Sequence, residues 1–217
     1  MIKSVKIRLK PTKEQEILMC KSTGIARFSY NWGLNKQEEN YNLGNKFIPI
    51  RKLRDEFVAL KKQEEYIWLN EVSAKVIGQA FEDLQTAYNN FFKGLANKPQ
   101  FKSKRKSKAS FFARYDAIKF TPTTVQIEKI GKINYSSNYE IPQLAKYTNP
   151  RVSFDGKYWY LSLGWEQVEN INDLTGESIG IDVGIKDLAS VSNIEKPIKN
   201  INKSKKVKKL KKKLKQK

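Results

Sequence analysis

The 217-residue chain contains no histidine and a single cysteine, Cys20. Without histidine, Ser-His-Asp and Cys-His nucleophiles, His-ligated zinc and His-ligated haem are excluded together. One cysteine allows neither an intrachain disulfide nor a four-cysteine zinc knuckle. No stretch approaches the about eighteen apolar residues that mark a membrane-spanning helix. The opening Met1-Ile2-Lys3-Ser4-Val5-Lys6 alternates apolar with polar residues and lacks the apolar run of a signal peptide. These absences predict a cytoplasmic chain with no membrane partner.

Acids are scarce too. Lys and Arg number 42 against 22 Asp and Glu, for a formal charge of +20. Twelve lysines and no acid fall between Lys196 and Lys217, and the remaining 195 residues still carry +8. Both parts favour a polyanionic partner such as nucleic acid. Aromatics at 12% and hydrophobics at 39% suffice for a folded core, with the lysine tail as the exception. The length suits one ordinary domain or two small ones.

Residues 2–10 alternate apolar and polar positions, which predicts a strand with one buried face. Pro11 ends it. Thr12 with Gln15 three residues later forms a capping box, and Glu14 and Glu16 suit a helix N-terminus. One helical segment is expected through Cys20 and a second from Gly24 to about Asn42, with Ile25, Phe28, Trp32 and Asn35 on one face. Helical spacing recurs over 49–62 and 70–95. Shorter β-like runs follow at 124–130 and 133–135. Arg151–Phe154 and Lys157–Leu163 are joined by Asp155-Gly156, the signature of a two-residue type I′ hairpin turn. Ser178–Ser192 reads as strand, tight turn at Gly184 to Asp187, and strand. Val207, Leu210 and Leu214 sit at helical spacing among lysines, so the tail is either one stripe of a helix or disordered.

Residues 93–120 hold nine basic residues against one acid, Asp116, interleaved with Phe101, Phe111, Phe112, Tyr115 and Phe120. Cations neutralise phosphates and aromatic faces stack unpaired bases, so Lys98, Lys102, Lys104, Arg105, Lys106, Lys108, Phe111, Phe112 and Arg114 are candidate nucleic-acid contacts. The alternative is that the phenylalanines are core and the lysines a solvated rim. In Ile179-Gly180-Ile181-Asp182-Val183-Gly184 an aspartate sits mid-strand between apolar neighbours, with glycines on its own face. Such a carboxylate is costly to bury unless it is paired or binds metal. It is either a ligand beside a phosphate or a loop-end aspartate satisfied by backbone donors. The same string opens the phosphate strand of actin-like ATPases, but there a Thr or Ser follows the glycine, whereas here Ile185-Lys186 does.

The order of these parts resembles the TnpB (OrfB-type) transposase family of bacterial insertion sequences, whose members are RNA-guided DNA endonucleases. Lys6-Ile-Arg-Leu-Lys-Pro-Thr-Lys-Glu-Gln-Glu16 looks like that family's start, as does Arg27-Phe-Ser-Tyr-Asn-Trp-Gly-Leu34. Lys98-Pro-Gln-Phe-Lys-Ser-Lys104 resembles its basic linker, and Gly180-Ile-Asp-Val-Gly-Ile-Lys-Asp-Leu-Ala189 its first RuvC motif. The resemblance implies an α+β fold: a β-barrel-like wedge domain (1–10 and 100–175) with an inserted helical recognition lobe (11–95). After it would come the start of a ribonuclease H-like (RuvC) α/β domain, its first hairpin at 178–195, and a lysine-rich tail at 196–217. The implied partners are guide RNA and double-stranded DNA.

Of the family's three RuvC carboxylates only Asp182 can be carried over, as catalytic residue and metal ligand. The second-motif glutamate, third-motif aspartate and four-cysteine zinc element would all lie downstream. The resemblance therefore implies a C-terminally truncated member that binds nucleic acid without cutting it. Mg²⁺ would enter only if the nuclease site were completed, and no zinc is expected. Two alternatives stay open: a plain basic nucleic-acid-binding protein with no guide, and one half of a split nuclease.

Overall fold

Strand β1 (Ile2–Lys10) forms where the alternation predicts it, with Val5, Ile7 and Leu9 buried and Lys6, Arg8 and Lys10 exposed. The computed structural model describes residues 2–143, 145–166 and 178–214. They fall in two compact units, Met1–Val168 and Glu169–Lys217.

In the first unit β1 lies within a seven-stranded sheet. The other strands are β2 (Ser110–Phe112), β3 (Lys119–Phe120), β4 (Thr124–Ile127), β5 (Gly131–Ser136), β6 (Tyr147–Phe154) and β7 (Trp159–Glu166). The order is β2-β6-β7-β1-β5-β4-β3, and every neighbouring pair is antiparallel. Four strands separate β3 from β6 in that order, yet the rings of Phe120 and Tyr147 lie 5.1 Å apart. The sheet is thus strongly curled. Its inner face carries Val5, Ile7, Val125, Ile133, Val152 and Leu161, all buried.

The β6–β7 hairpin differs from the expected turn. Phe154 pairs with Trp159, so four residues rather than two make the loop. Gly156 has φ +101°, whereas Asp155 is not in the left-handed region that a type I′ turn requires of both central residues. Instead the Asp155 carboxylate accepts hydrogen bonds from the amides of Lys157 and Tyr158, at 2.8 and 2.7 Å. Its side chain closes the loop as an Asx turn.

Between β1 and Lys93 the chain is mostly helical. Helix α1 (Lys13–Asn42) starts with the capping box: Thr12 accepts from the Gln15 amide and Gln15 returns a bond to the Thr12 amide. The break expected near Gly24 is absent, and α1 runs for 30 residues without interruption. A mid-helix glycine costs only about 1 kcal/mol relative to alanine, and packing against a second helix outweighs that. Helix α2 (Ile50–Leu60) follows Pro49 and buries Leu53 and Phe57. A 3₁₀ segment, Glu64–Glu71, buries Leu69. Helix α3 (Ala74–Phe92) begins later than its periodicity suggests, because Ser73 caps it and the buried Val72 is still extended. Helices α1 and α3 meet at Gly33, where an added Cβ would lie 2.8 Å from Leu84 Cδ2.

The second unit holds a small antiparallel sheet of β8 (Ile181–Asp182), β9 (Asp187–Val191) and β10 (Ile198–Lys199), in the order β10-β9-β8. Helix α4 (Lys205–Leu214) follows. The molecule is a mixed α and β structure with a large antiparallel sheet.

Candidate nucleic-acid interface

The basic stretch after α3 has no regular secondary structure before β2, so its position depends on side-chain anchors. Asn31 of α1 supplies the main one, bonding both backbone groups of Lys102 at 2.8 Å. Ser103 and Ser107 close the next turn: the Ser107 amide donates to the Ser103 carbonyl at 3.0 Å, and the Ser103 amide to Ser107 Oγ at 3.1 Å. Lys104, Arg105 and Lys106 ride on this turn, exposed and without a carboxylate partner among the described residues. Lys98 is tied to Glu38 at 3.1 Å.

Lys102 is half-buried, its ammonium 3.6 Å from the centre of the Tyr30 ring. Burial pulls its pKa below the usual lysine value; Asp83 opposes that pull and Arg151 adds to it. Lys102, Asp83 and Arg151 line a cavity of about 240 Å³ together with Arg27 and Lys108. Asp83 accepts from Arg151 at 2.5 Å and from Gln79 at 3.2 Å.

The other candidates from the sequence divide. Phe111 and Phe112 are only 2% and 6% exposed, so neither presents a face for base stacking. Phe111 pairs with Val152 and belongs to the core, while Phe112 pairs with Arg151, whose guanidinium lies 5.9 Å from its ring. Adjacent positions of β2 point to opposite faces, and packing against β6, α1 and α3 together buries both rings. Arg114 is exposed but committed: it grips Asp116 with two bonds of 2.7 and 2.8 Å and lies 3.6 Å from Glu128. The aromatics of this stretch that do face solvent are Phe101 and Tyr115. Phe101 borders a shallow hollow on α1 with Arg27, Phe28, Trp32 and Asn35.

One surface went unnoticed in the sequence. Cross-strand partners share a face, so Lys6 and Arg8 of β1 stand beside Ser162 and Tyr160 of β7 on the outer side of the sheet. Lys6 Nζ is 4.1 Å from the Tyr160 ring centre, and the Arg8 guanidinium carbon is 3.4 Å from that of Tyr158. The same face continues through Lys10 and Asn134 to Lys132, Gln126 and Lys119. All five cations are exposed. The signal was present, since the alternation that buries Val5, Ile7 and Leu9 puts every other residue of β1 outward. The tyrosines beside those cations are fixed only by register.

Asp182 belongs to the second unit. It is exposed on β8 opposite Ser190. Gly184 serves the turn: a Cβ there would lie 3.2 Å from the Asp187 carbonyl oxygen. Among the described residues no three Asp, Glu or Cys side chains gather closely enough to hold a metal ion. A two-metal centre clamps ions about 3.5–4 Å apart with several ligands, and the residues described around Asp182 do not fit one.

A curled antiparallel sheet with a cation- and tyrosine-bearing outer face, joined to helices by a basic linker, defines a mixed α and β protein with an exposed basic surface. Residues 1–46 match the family model of a helix-turn-helix domain of OrfB proteins of the IS605 type. Over 208 residues the chain is 29% identical to InsQ of Escherichia coli (strain K12), named as an RNA-guided DNA endonuclease, covering 94% of this chain and 51% of that protein. A Streptomyces pristinaespiralis protein also named as an RNA-guided DNA endonuclease is 30% identical over 198 residues, 89% of this chain and 49% of its own length. By these matches the chain is similar to the TnpB (OrfB) family of insertion-sequence proteins. It spans about half the length of the curated relatives it matches. Within residues 1–46 the structure has one strand and one unbroken helix rather than two helices around a turn. No helix among the described residues is long and apolar enough to cross a membrane.

Proposed function

We propose that this chain is a nucleic-acid-binding member of the TnpB kind, holding guide RNA and double-stranded target DNA through its first unit without cutting DNA by itself. The observation that carries this reading is the outer sheet face, where Lys6, Arg8, Lys10, Lys132 and Lys119 stand exposed with Tyr158 and Tyr160 among them. Cations there displace counterions from phosphates, and the tyrosine edges favour a strand whose sugars and bases are accessible. The names of the two relatives support RNA and DNA as partners. In this reading the curled sheet is the wedge domain, the helices between β1 and β2 are the recognition lobe, and β8–β9 is the first hairpin of a RuvC-like domain. Asp182 is the one family carboxylate present, so DNA cleavage with Mg²⁺ would need further acids brought to it.

The chain should be purified from cells carrying its own flanking DNA, washed in high salt, and its retained RNA sequenced. A single RNA species from the element's end, together with protection of a matched DNA target that stays uncut in Mg²⁺, is the expected result. Cleavage of that target by the pure chain would overturn the non-cutting part. Cleavage only when a second chain is added, abolished by Asp182→Ala, would instead make it half of a split nuclease. A second reading, a basic binder with no guide, is favoured by α4, where seven of ten residues are lysine. Heterogeneous RNA lost in the wash would select it.

A further inference from the structure

The cavity of about 240 Å³ beside Lys102 is built from four segments far apart in sequence. Arg27 comes from α1, Lys102 and Lys108 from the basic linker, Arg151 from β6 and Asp83 from α3. Four cations therefore face one carboxylate. Arg151 alone has an acid partner among the described residues, Asp83 at 2.5 Å. Arg27, Lys102 and Arg151 are half-buried, and Lys108 stands exposed at the rim. Partly buried positive charge without a counter-charge is unfavourable, and a bound anion relieves it. Burial lowers the pKa of Lys102, with Asp83 opposing that pull and Arg151 adding to it. The fork of Arg151 suits a tetrahedral oxyanion, and Ser107 at the lining can add a hydroxyl donor.

We propose that this cavity seats one phosphate group of the bound nucleic-acid strand. The site rests on the nucleic-acid reading above but adds a position to it: a strand crossing the helix–sheet junction drops one phosphate into the hollow, while the outer sheet face holds others. Lys102 is the best-placed cation, because Asn31 fixes its backbone and Tyr30 its ammonium. Asp83 orients Arg151 and, by its own charge, keeps the empty pocket from excess repulsion.

The test uses the full chain and two probes, a single-stranded RNA oligonucleotide and inorganic phosphate. RNA affinity is measured against salt for the wild type and for Arg27→Gln/Lys108→Gln, which leaves the Asp83–Arg151 pair in place. One shared phosphate predicts that the double variant lowers RNA affinity and flattens the log–log salt slope by at most about 0.7, because Lys102 and Arg151 still face that phosphate, where two independent contacts would remove about 1.4. Unchanged affinity, or a slope loss of two contacts, overturns the proposal. Separately, thermal midpoints are compared in phosphate and in chloride at equal ionic strength. Excluded-salt effects raise both chains alike, so a smaller phosphate response in the double variant reads the pocket itself. Equal responses overturn the site even if RNA binds elsewhere. A pocket response in a wild type that holds no RNA would instead sink the nucleic-acid reading and confine the site to free phosphate. Asp83→Asn, which removes the lining carboxylate that competes for Arg151 and keeps an amide oxygen to hold its guanidinium, should enlarge the phosphate response, and a diminished response counts against the site.

Discussion

Asn31 holds Lys102 by both of its backbone groups, the amide nitrogen donating to the Lys102 carbonyl and the amide oxygen accepting from the Lys102 N–H, each at 2.8 Å. The side chain thus acts as a short piece of β-ladder for a linker that has none. Each such bond contributes about 0.5–1.5 kcal/mol, so Asn31→Ala should destabilise the first unit by about 1–3 kcal/mol. The more telling readout is local. Trypsin should cut faster at Lys102 to Lys106 in the variant while the sheet stays folded. Unchanged cleavage would mean that the turn closed by Ser103 and Ser107 holds the linker unaided.

Two glycines on one helix should respond with opposite signs. Gly24 has open space around the position of a Cβ, so Gly24→Ala should stabilise by up to about 1 kcal/mol. At Gly33 the added methyl would meet Leu84 at 2.8 Å and Phe81 at 3.0 Å, both side chains fully buried. Overpacking of that kind costs about 1–3 kcal/mol, which exceeds the helical gain. Urea denaturation of the two variants checks the sign. A stabilised Gly33→Ala would show that α1 and α3 can part without loss.

Gly24 also shows where the sequence stops being informative. Local rules placed the Thr12 cap, the alternation of β1 and the existence of the β6–β7 hairpin, because each is decided by a few adjacent residues. They misplaced a helix break at Gly24, since the glycine itself faces open space and the helix is held through it by its buried neighbours Thr23 and Ile25. The same limit applies to Phe111 and Phe112. Their clustering with lysine was visible, but their burial follows from packing against β6, some forty positions on, and against α1 and α3. Asn31 and Lys102, 71 positions apart, could not have been paired by any local pattern. Outward Lys6 and Arg8 were readable from alternation; Tyr158 and Tyr160 beside them were not.

Burial separates the two kinds of aromatic in the basic stretch. Phe111→Ala should cost about 3–5 kcal/mol of folding stability, as for other core phenylalanines. Phe101 is 50% exposed, and Phe101→Ala should leave the denaturation midpoint nearly unchanged. If Phe101 stacks on a base, the same variant loses about 1–3 kcal/mol of single-strand RNA affinity. Binding titrations on both variants, at a temperature where Phe111→Ala is folded, separate scaffold from contact. Undiminished RNA binding by Phe101→Ala would leave the outer sheet face as the proposed contact surface.

Tyr88 and Tyr147 make folding sensitive to alkali. Burial pushes the pKa of each up from 10.0 to about 12, with Glu38 and Tyr30 adding to the shift at Tyr88 and Tyr135 adding at Tyr147. The Tyr88 ring lies edge-on to Phe47 at 5.0 Å, and the Tyr147 hydroxyl donates to the Pro142 carbonyl. Below pH 10 both phenols are protonated whether the chain is folded or not, so neither makes stability depend on pH. Between about pH 10 and about pH 12 the unfolded chain releases these protons and the folded chain keeps them, so rising pH favours unfolding. Lys102 acts in the opposite sense, but its window closes at the ordinary lysine value of 10.5 because its folded pKa is lowered. The expected result is a steady fall in urea midpoint above pH 10, with Tyr88 and Tyr147 among the phenolates that appear late in an ultraviolet titration, beside Tyr30, Tyr135 and Tyr160, whose pKa values are also raised. Tyr88→Phe removes one proton from the linkage and should flatten the fall. A slope identical to that of the wild type would show that the Tyr88 phenol is open to water in solution and that its burial among Phe47 and Phe92 is not maintained.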